Sequence, residues 1–258
     1  MRQAIVIVSF GSSVETARVQ QISAVEEAIK AETPGSLAYT AYTSPTIRRI
    51  LRGRGISIPS LEEALDQMLE DGITDALVQP THLLYGIEYD KMKATVDAYA
   101  GRFASLQFGI PLLATTEDLR ELAAILSEAY PRKEGEALVF LGHGTDHFAN
   151  VVYPALQMIF HMQGREDVLI GTVEGWPSYE EVRAQLHVSA LRMVPLMLVA
   201  GDHAIHDMAG DGEDSWKRRF EEDGLAVQCV LQGLGAMPPI QELYQKHIRT
   251  LQKGDRYL

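Results

Sequence analysis

The sequence predicts an α/β protein made of two similar halves, each a parallel sheet flanked by helices. Three observations predict it. Apolar runs at 4–8, 74–79, 137–141, 168–173 and 193–200 are rich in Val, Ile and Leu and bounded by Gly, Pro, Asp or Thr, as suits strands buried on both faces. Amphipathic stretches separate these runs, and alternating strand and helix favours parallel sheets. The chain also repeats itself. Gly144 follows Gly11 by 133 positions, Pro177 follows Pro45 by 132, and Pro195 and Gly201 follow Pro80 and Gly86 by 115. Four matches in one order point to a duplicated unit with a shorter middle in its second copy.

Each element has its own local reason. Ala4–Val8 is the first strand and runs into Ser9-Phe10-Gly11-Ser12-Ser13. The stretch 14–30 then places Ile22, Val25 and Ile29 at helical spacing. Ser60-Leu61-Glu62-Glu63 is a capping-box pattern opening a helix that Gly72 ends. Further helices are readable near 88–103, 117–129, 178–187 and 238–251. The repeat divides the chain into 1–130 and 131–258, with the C-terminal helix free to pack back on the N-terminal half.

Composition limits the chemistry. Cys229 is the single cysteine, so a thiolate metal cluster or a disulfide framework within the chain is excluded. Metal ligands must come from His, Asp and Glu. The net charge of −12 disfavours nucleic acid and anionic membranes. No run reaches the roughly 20 apolar residues of a membrane helix. The N-terminal apolar run is too short for a signal-peptide core, so a cytoplasmic location is expected. Walker, Gly-x-Gly-x-x-Gly and Gly-x-Ser-x-Gly motifs are absent, which argues against ATP, dinucleotides and a serine nucleophile elbow.

Ligands in open parallel sheets bind beyond the carboxyl ends of the strands, and four candidates sit there. His143 lies in Gly142-His143-Gly144, where glycine lets a ligand approach the backbone; an exposed His in a tight turn would look the same. His203 lies in Gly201-Asp202-His203-Ala204-Ile205-His206-Asp207, and a helix would put His203 and His206 on one face. A solvated helix start capped by Asp202 reads equally well. Glu88 corresponds to His203 by the 115-residue offset, which would set the two across a pseudo-symmetric cleft; alone, it is a favourable acid in a first helical turn. Nearby His82 reads as a core or hydrogen-bonded histidine. Glu174 ends the run 168–173, although a surface acid beside a turn would do the same. Two imidazoles with one or two carboxylates suit a borderline divalent cation with coordination positions left open. Arg48, Arg49, Arg52 and Arg54 concentrate positive charge in an acidic chain. They read either as a carboxylate-binding patch or as a solvated helix face.

The sequence resembles the anaerobic sirohydrochlorin cobalt chelatases, which are single-subunit, ATP-independent class II chelatases. The resemblance covers nearly the whole chain. It rests on Val8-Ser9-Phe10-Gly11-Ser12-Ser13, Gly86-Ile87-Glu88-Tyr89, Gly142-His143-Gly144 and Val173-Glu174. Above all it rests on Pro195–Ile205, continued by Asp207-Met208-Ala209 and Asp214-Ser215-Trp216-Lys217, with Gly233-Leu234-Gly235 near the end. It implies two flavodoxin-like halves around a cleft and insertion of cobalt(II) into sirohydrochlorin, or precorrin-2, with release of two protons in cobalamin biosynthesis. It implies His143 and His203 as metal ligands, His143 also as a proton acceptor, and Glu88 and Glu174 as acids of the same site, with their division between metal and proton left open. The turn Ser9, Phe10, Gly11 and Ser12, with Arg48 and Arg49, would meet the substrate carboxylates. The metal is cobalt, with iron(II) or nickel(II) as alternatives, and no other cofactor is expected. Competing readings are insertion of iron into sirohydrochlorin or a porphyrin, and a carrier of tetrapyrrole or metal without turnover. A homo-oligomer is left open.

Overall fold

The computed structural model describes residues 2–252. The chain divides into two compact units, Met1–Ala114 with Gly235–Leu258, and Thr115–Leu234.

In the first unit, β1 (Gln3–Ser9), β2 (Leu37–Tyr42), β3 (Asp75–Pro80) and β4 (Ser105–Phe108) form a parallel sheet in the order β2-β1-β3-β4. In the second, β5 (Glu136–Gly142), β6 (Val168–Thr172), β7 (Ala190–Pro195) and β8 (Ala226–Cys229) repeat that order as β6-β5-β7-β8. The strand order reverses direction beside β1 and beside β5, and such switch points open the crevices where α/β sheets take ligands. The central strands are almost wholly buried because helices cover both faces: Val6, Ile7 and Val8 in β1, and Val139, Phe140 and Leu141 in β5, have no exposed surface.

The helices of the first unit are α1 (Glu15–Ala17), α2 (Ser23–Ala31), α3 (Pro45–Gly53), α4 (Leu61–Glu70), α5 (Ile87–Tyr99) and α10 (Pro238–Gln252). A π-helical turn, Arg18–Ile22, joins α1 to α2. The expected capping box opens α4: Ser60 Oγ accepts from Glu63 N–H at 3.2 Å and Glu63 Oε2 accepts from Ser60 N–H at 2.7 Å. The last helix, α10, lies on α2, where Gln245 donates to the Ala28 carbonyl at 3.0 Å and Arg249 pairs with Glu32 at 2.7 Å.

The second unit contains α6 (Thr116–Ala129), α7 (Val152–Met162), α8 (Tyr179–Gln185) and α9 (Trp216–Glu222). The sequence division at 130 groups 116–129 with the first half; in the structure α6 packs on α7. Arg165 reinforces this contact by donating to the Ser127 and Tyr130 carbonyls at 3.3 and 3.0 Å.

Three strands and the helices α7 and α9 lack a clear signal in the sequence. Strands β2, β4 and β8 lie at sheet edges and are only partly buried. Helix α7 is apolar nearly all round, so no polar face marks its period. The apolar run at 193–200 conversely overruns its strand, which ends at Pro195.

Candidate metal centre

Three segments at the carboxyl end of the second sheet converge. His143 follows β5 directly, Glu174 lies two residues beyond β6, and His203 lies on the segment after β7. Ligating atoms of these three side chains all lie within 4.8 Å of one another. The Nε2 atoms of the two imidazoles are 3.1 Å apart, and their rings are nearly perpendicular at 85°. Glu174 Oε2 is 3.9 Å from His143 Nδ1. The cluster is open to solvent, with side-chain exposures of 45%, 62% and 38% for His143, Glu174 and His203.

Local backbone chemistry sets this geometry. Gly144 turns the chain with φ +84°, and a Cβ there would lie 2.7 Å from the Glu174 carbonyl carbon. Only glycine combines that conformation with so close an approach. The two loops are stitched by Glu174 N–H donating to the His143 carbonyl at 2.7 Å and Val173 N–H to the Gly142 carbonyl at 3.0 Å. Asn150 adds a side-chain clamp, accepting from Thr145 N–H at 3.1 Å and donating to the Trp176 carbonyl at 2.6 Å. Tyr153, buried beside Gly142, accepts from Gly144 N–H at 3.3 Å. Burial pushes its hydroxyl above the usual range, so it stays neutral.

The hydrogen bonds also choose the imidazole tautomers. His143 Nδ1 is 3.0 Å from the Gly144 carbonyl, and His203 Nδ1 is 2.6 Å from Asp207 Oδ2. Both partners only accept, so each Nδ1 carries hydrogen and each neutral ring turns an Nε2 lone pair toward the other. Two imidazole nitrogens on one tetrahedral ion, at the ~2.05 Å bonds usual for zinc, would be about 3.3 Å apart. The observed spacing is close to that bite. His206 stands apart from the cluster, exposed and 3.4 Å from Asp202.

The other sequence candidates lie in the first unit. Glu88, in the first turn of α5, is partly covered and pairs with Lys91 at 2.7 Å. Burial raises its pKa, but hydrogen bonding to Lys91, the Thr43 hydroxyl and the Lys91 charge together outweigh this and hold the carboxyl below its usual range. His82, just past β3, is half-buried as a residue, while both ring nitrogens are buried without a hydrogen-bond partner. Burial lowers its pKa to about 4.

In the turn after β1, Ser9 is fully buried and shares a 2.8 Å hydrogen bond with Thr81. Ser12 is buried and accepts from Val14 N–H at 3.2 Å. Gly11 has φ +100°, with the Tyr42 ring where a Cβ would stand. Phe10 projects outward and is 49% exposed. Arg48 is largely covered and bonded to Glu63 at 3.0 Å, and Arg54 donates to the Ser13 carbonyl at 2.6 Å. Arg49 and Arg52 are exposed and have no ion-pair partner among the described residues. The sequence did not single out Asn150, whose partner Trp176 lies 26 residues away, or Asp207, although its place four residues after His203 on a helical turn was a usable signal.

No helix among the described residues is long and apolar enough to cross a membrane. Residues 3–253 match the family described as Cobalt chelatase (CbiK). The chain is 36% identical over 253 residues to the sirohydrochlorin cobaltochelatase of Salmonella typhimurium, with 96% of each protein covered. It is 32% identical to the sirohydrochlorin cobaltochelatase CbiKC of Nitratidesulfovibrio vulgaris, covering 96% of this chain and 89% of the relative. Among solved structures, SirB from Bacillus subtilis with Fe3+ superposes with a TM-score of 0.69 at 17% identity, covering 98% of both chains. CbiX, described as the terminal enzyme of sirohaem biosynthesis in denitrifying bacteria, gives a TM-score of 0.57 at 14% identity, covering 96% of this chain and 98% of the other. These two likenesses concern the fold, which is that of the chelatases; the full-length sequence match goes further, and by it the chain belongs to the CbiK cobalt chelatase family.

Proposed function

We propose that the protein inserts cobalt(II) into sirohydrochlorin, as a step of cobalamin biosynthesis, without ATP. The observation that carries the reading is the convergence of His143, His203 and Glu174 within 4.8 Å, with both imidazoles fixed in the Nδ1–H form. Neutral nitrogen ligands and one carboxylate suit cobalt(II), and an open cluster leaves positions for the pyrrole nitrogens. Here the metal is a substrate that the site holds briefly and passes on.

Insertion replaces two pyrrole protons with one dication, so bases must stand near the ring. In this reading His143 and His203 hold the ion and Glu174 offsets its charge. His143, once it gives up the ion, accepts one proton, and Glu88 is the candidate for the other. The exposed Arg49, the Phe10 ring and the backbone of Ser9, Gly11 and Ser12 are the candidate contacts for the macrocycle and its carboxylates. The guanidinium fork of arginine matches carboxylate geometry. Arg48 contributes less directly, because its guanidinium is already bonded to Glu63.

The test is a spectral metallation assay of the purified protein with sirohydrochlorin and, separately, precorrin-2, against cobalt(II), iron(II) and nickel(II). The reading expects turnover beyond one equivalent and the highest kcat/KM with cobalt(II) and sirohydrochlorin. Faster iron insertion would make it a ferrochelatase, and binding without turnover would make it a carrier.

A further inference from the structure

A neutral imidazole binds a metal through Nε2 only when its hydrogen sits on Nδ1. For His143 the backbone makes that choice, through the Gly144 carbonyl. For His203 a side chain makes it. Asp207 Oδ2 lies 2.6 Å from Nδ1, and Asp207 has no other hydrogen-bond or ion-pair partner among the described residues. The two residues are four apart, across a π-helical turn, Ala204–Met208. That turn closes five residues back, with Ala209 N–H on the Ala204 carbonyl at 3.2 Å, and residues four apart stay neighbours on one face. Buried Ala204 and Met208 anchor the turn in the core. Gly210 lets it end, since a Cβ there would lie 2.3 Å from the His206 carbonyl oxygen.

We infer that Asp207 is a positioning residue which locks His203 in the Nδ1–H tautomer and so aims its Nε2 lone pair at the incoming metal. The inference rests on the metal-site reading proposed above. The carboxylate touches neither the metal point nor the macrocycle in this role. It acts through the imidazole, fixing its orientation and raising the basicity of the ligating nitrogen. The asymmetry between the histidines has a consequence: mutation of a side chain can change the tautomer of His203, while that of His143 is held by the main chain.

The experiment uses the full chain with 15N-labelled histidine. Two quantities are measured for wild type, Asp207→Ala and Asp207→Asn: the tautomer of His203 in the metal-free protein, from its ring 15N shifts above the ordinary imidazole pKa, and the affinity for cobalt(II) alone. Asp207→Ala should move His203 toward the Nε2–H form and weaken cobalt binding by roughly 10–100-fold. Asp207→Asn, whose amide can accept from Nδ1–H or, turned over, donate to Nδ1, no longer dictates the tautomer and should give a mixed population with an affinity between those of wild type and Asp207→Ala. A merely structural role would lower the thermal midpoint without moving the tautomer. If Asp207→Ala keeps the Nδ1–H form and wild-type affinity, the inference is overturned. His203→Ala is the control for the underlying reading: wild-type cobalt affinity in that variant would remove His203 from the metal site, while the 15N shifts would still report whether Asp207 sets its tautomer.

Discussion

His143 and His203 meet nitrogen to nitrogen, with Nε2 atoms 3.1 Å apart and each Nδ1 committed to an acceptor on the far side of its ring. Two lone pairs facing at that distance favour a cation between them. Replacing either histidine by Ala should cut metallation by about 10²–10⁴-fold, the usual cost of losing a positioned catalytic group. Both side chains are substantially exposed, so thermal midpoints should stay near wild type. A folded His143→Ala protein that metallates sirohydrochlorin at the wild-type rate would remove this residue from the mechanism.

The loop geometry can be tested apart from the ligands. Gly144→Ala forces a side chain into φ +84° and against the Glu174 backbone, which should cost at least ~1 kcal/mol and displace Glu174. Asn150→Ala cuts both hydrogen bonds of the clamp between the two loops. It should raise the apparent KM for cobalt(II) more than it lowers the thermal midpoint. Steady-state kinetics at varied cobalt and a melt of each variant check both statements, and an unchanged KM would mean the clamp has no bearing on the metal.

The four arginines should separate by environment. Arg49 is exposed without an ion-pair partner among the described residues, so Arg49→Ala should raise the KM for sirohydrochlorin, and more so at low ionic strength. Arg48 is largely covered and serves the capping carboxylate of α4. Arg48→Ala should therefore act first on stability, by up to about 1 kcal/mol as for a partly exposed ion pair. Equal KM effects from both would contradict this assignment.

Stability should carry a signature of His82. Burial lowers its folded pKa to about 4, below the ~6.5 of an unfolded histidine. The unfolded chain therefore binds more protons between these values. The contribution from keeping His82 neutral is complete above the unfolded pKa and falls away as pH drops from about 6.5 to about 4. It amounts to something on the order of 3 kcal/mol. Urea melts across that window should show His82→Gln losing less stability with acidification than wild type. Parallel curves would show that His82 does not titrate in this way.

Much of the architecture was legible in the residues. Strands β1, β3, β5, β6 and β7 announce themselves because burial on both faces demands continuous apolar runs, and the Ser60–Glu63 box marks a helix start by its own hydrogen bonds. The repeat in Gly and Pro positions corresponds to a repeated strand order. Edge strands β2, β4 and β8 stayed hidden because half-exposed segments need no continuous apolar run. Helix α7 stayed hidden because it has almost no polar face to reveal its period.

For the site, the sequence by itself determined which residue types stand at the strand ends: His143, Glu174 and His203 each follow an apolar run in a segment shared with the cobalt chelatases. Local pattern could not distinguish any one of them from a solvated turn or helix start. Only the tertiary structure decided that atoms about 30 and 60 positions apart in the chain come within 4.8 Å. It also decided that Asp207 and the Gly144 carbonyl set the tautomers. It showed as well that Arg48, one of four arginines in a row of similar charge, is already engaged with Glu63. The reason is physical: periodicity reports which face of an element is buried, while ligand geometry depends on loops joined across different strands.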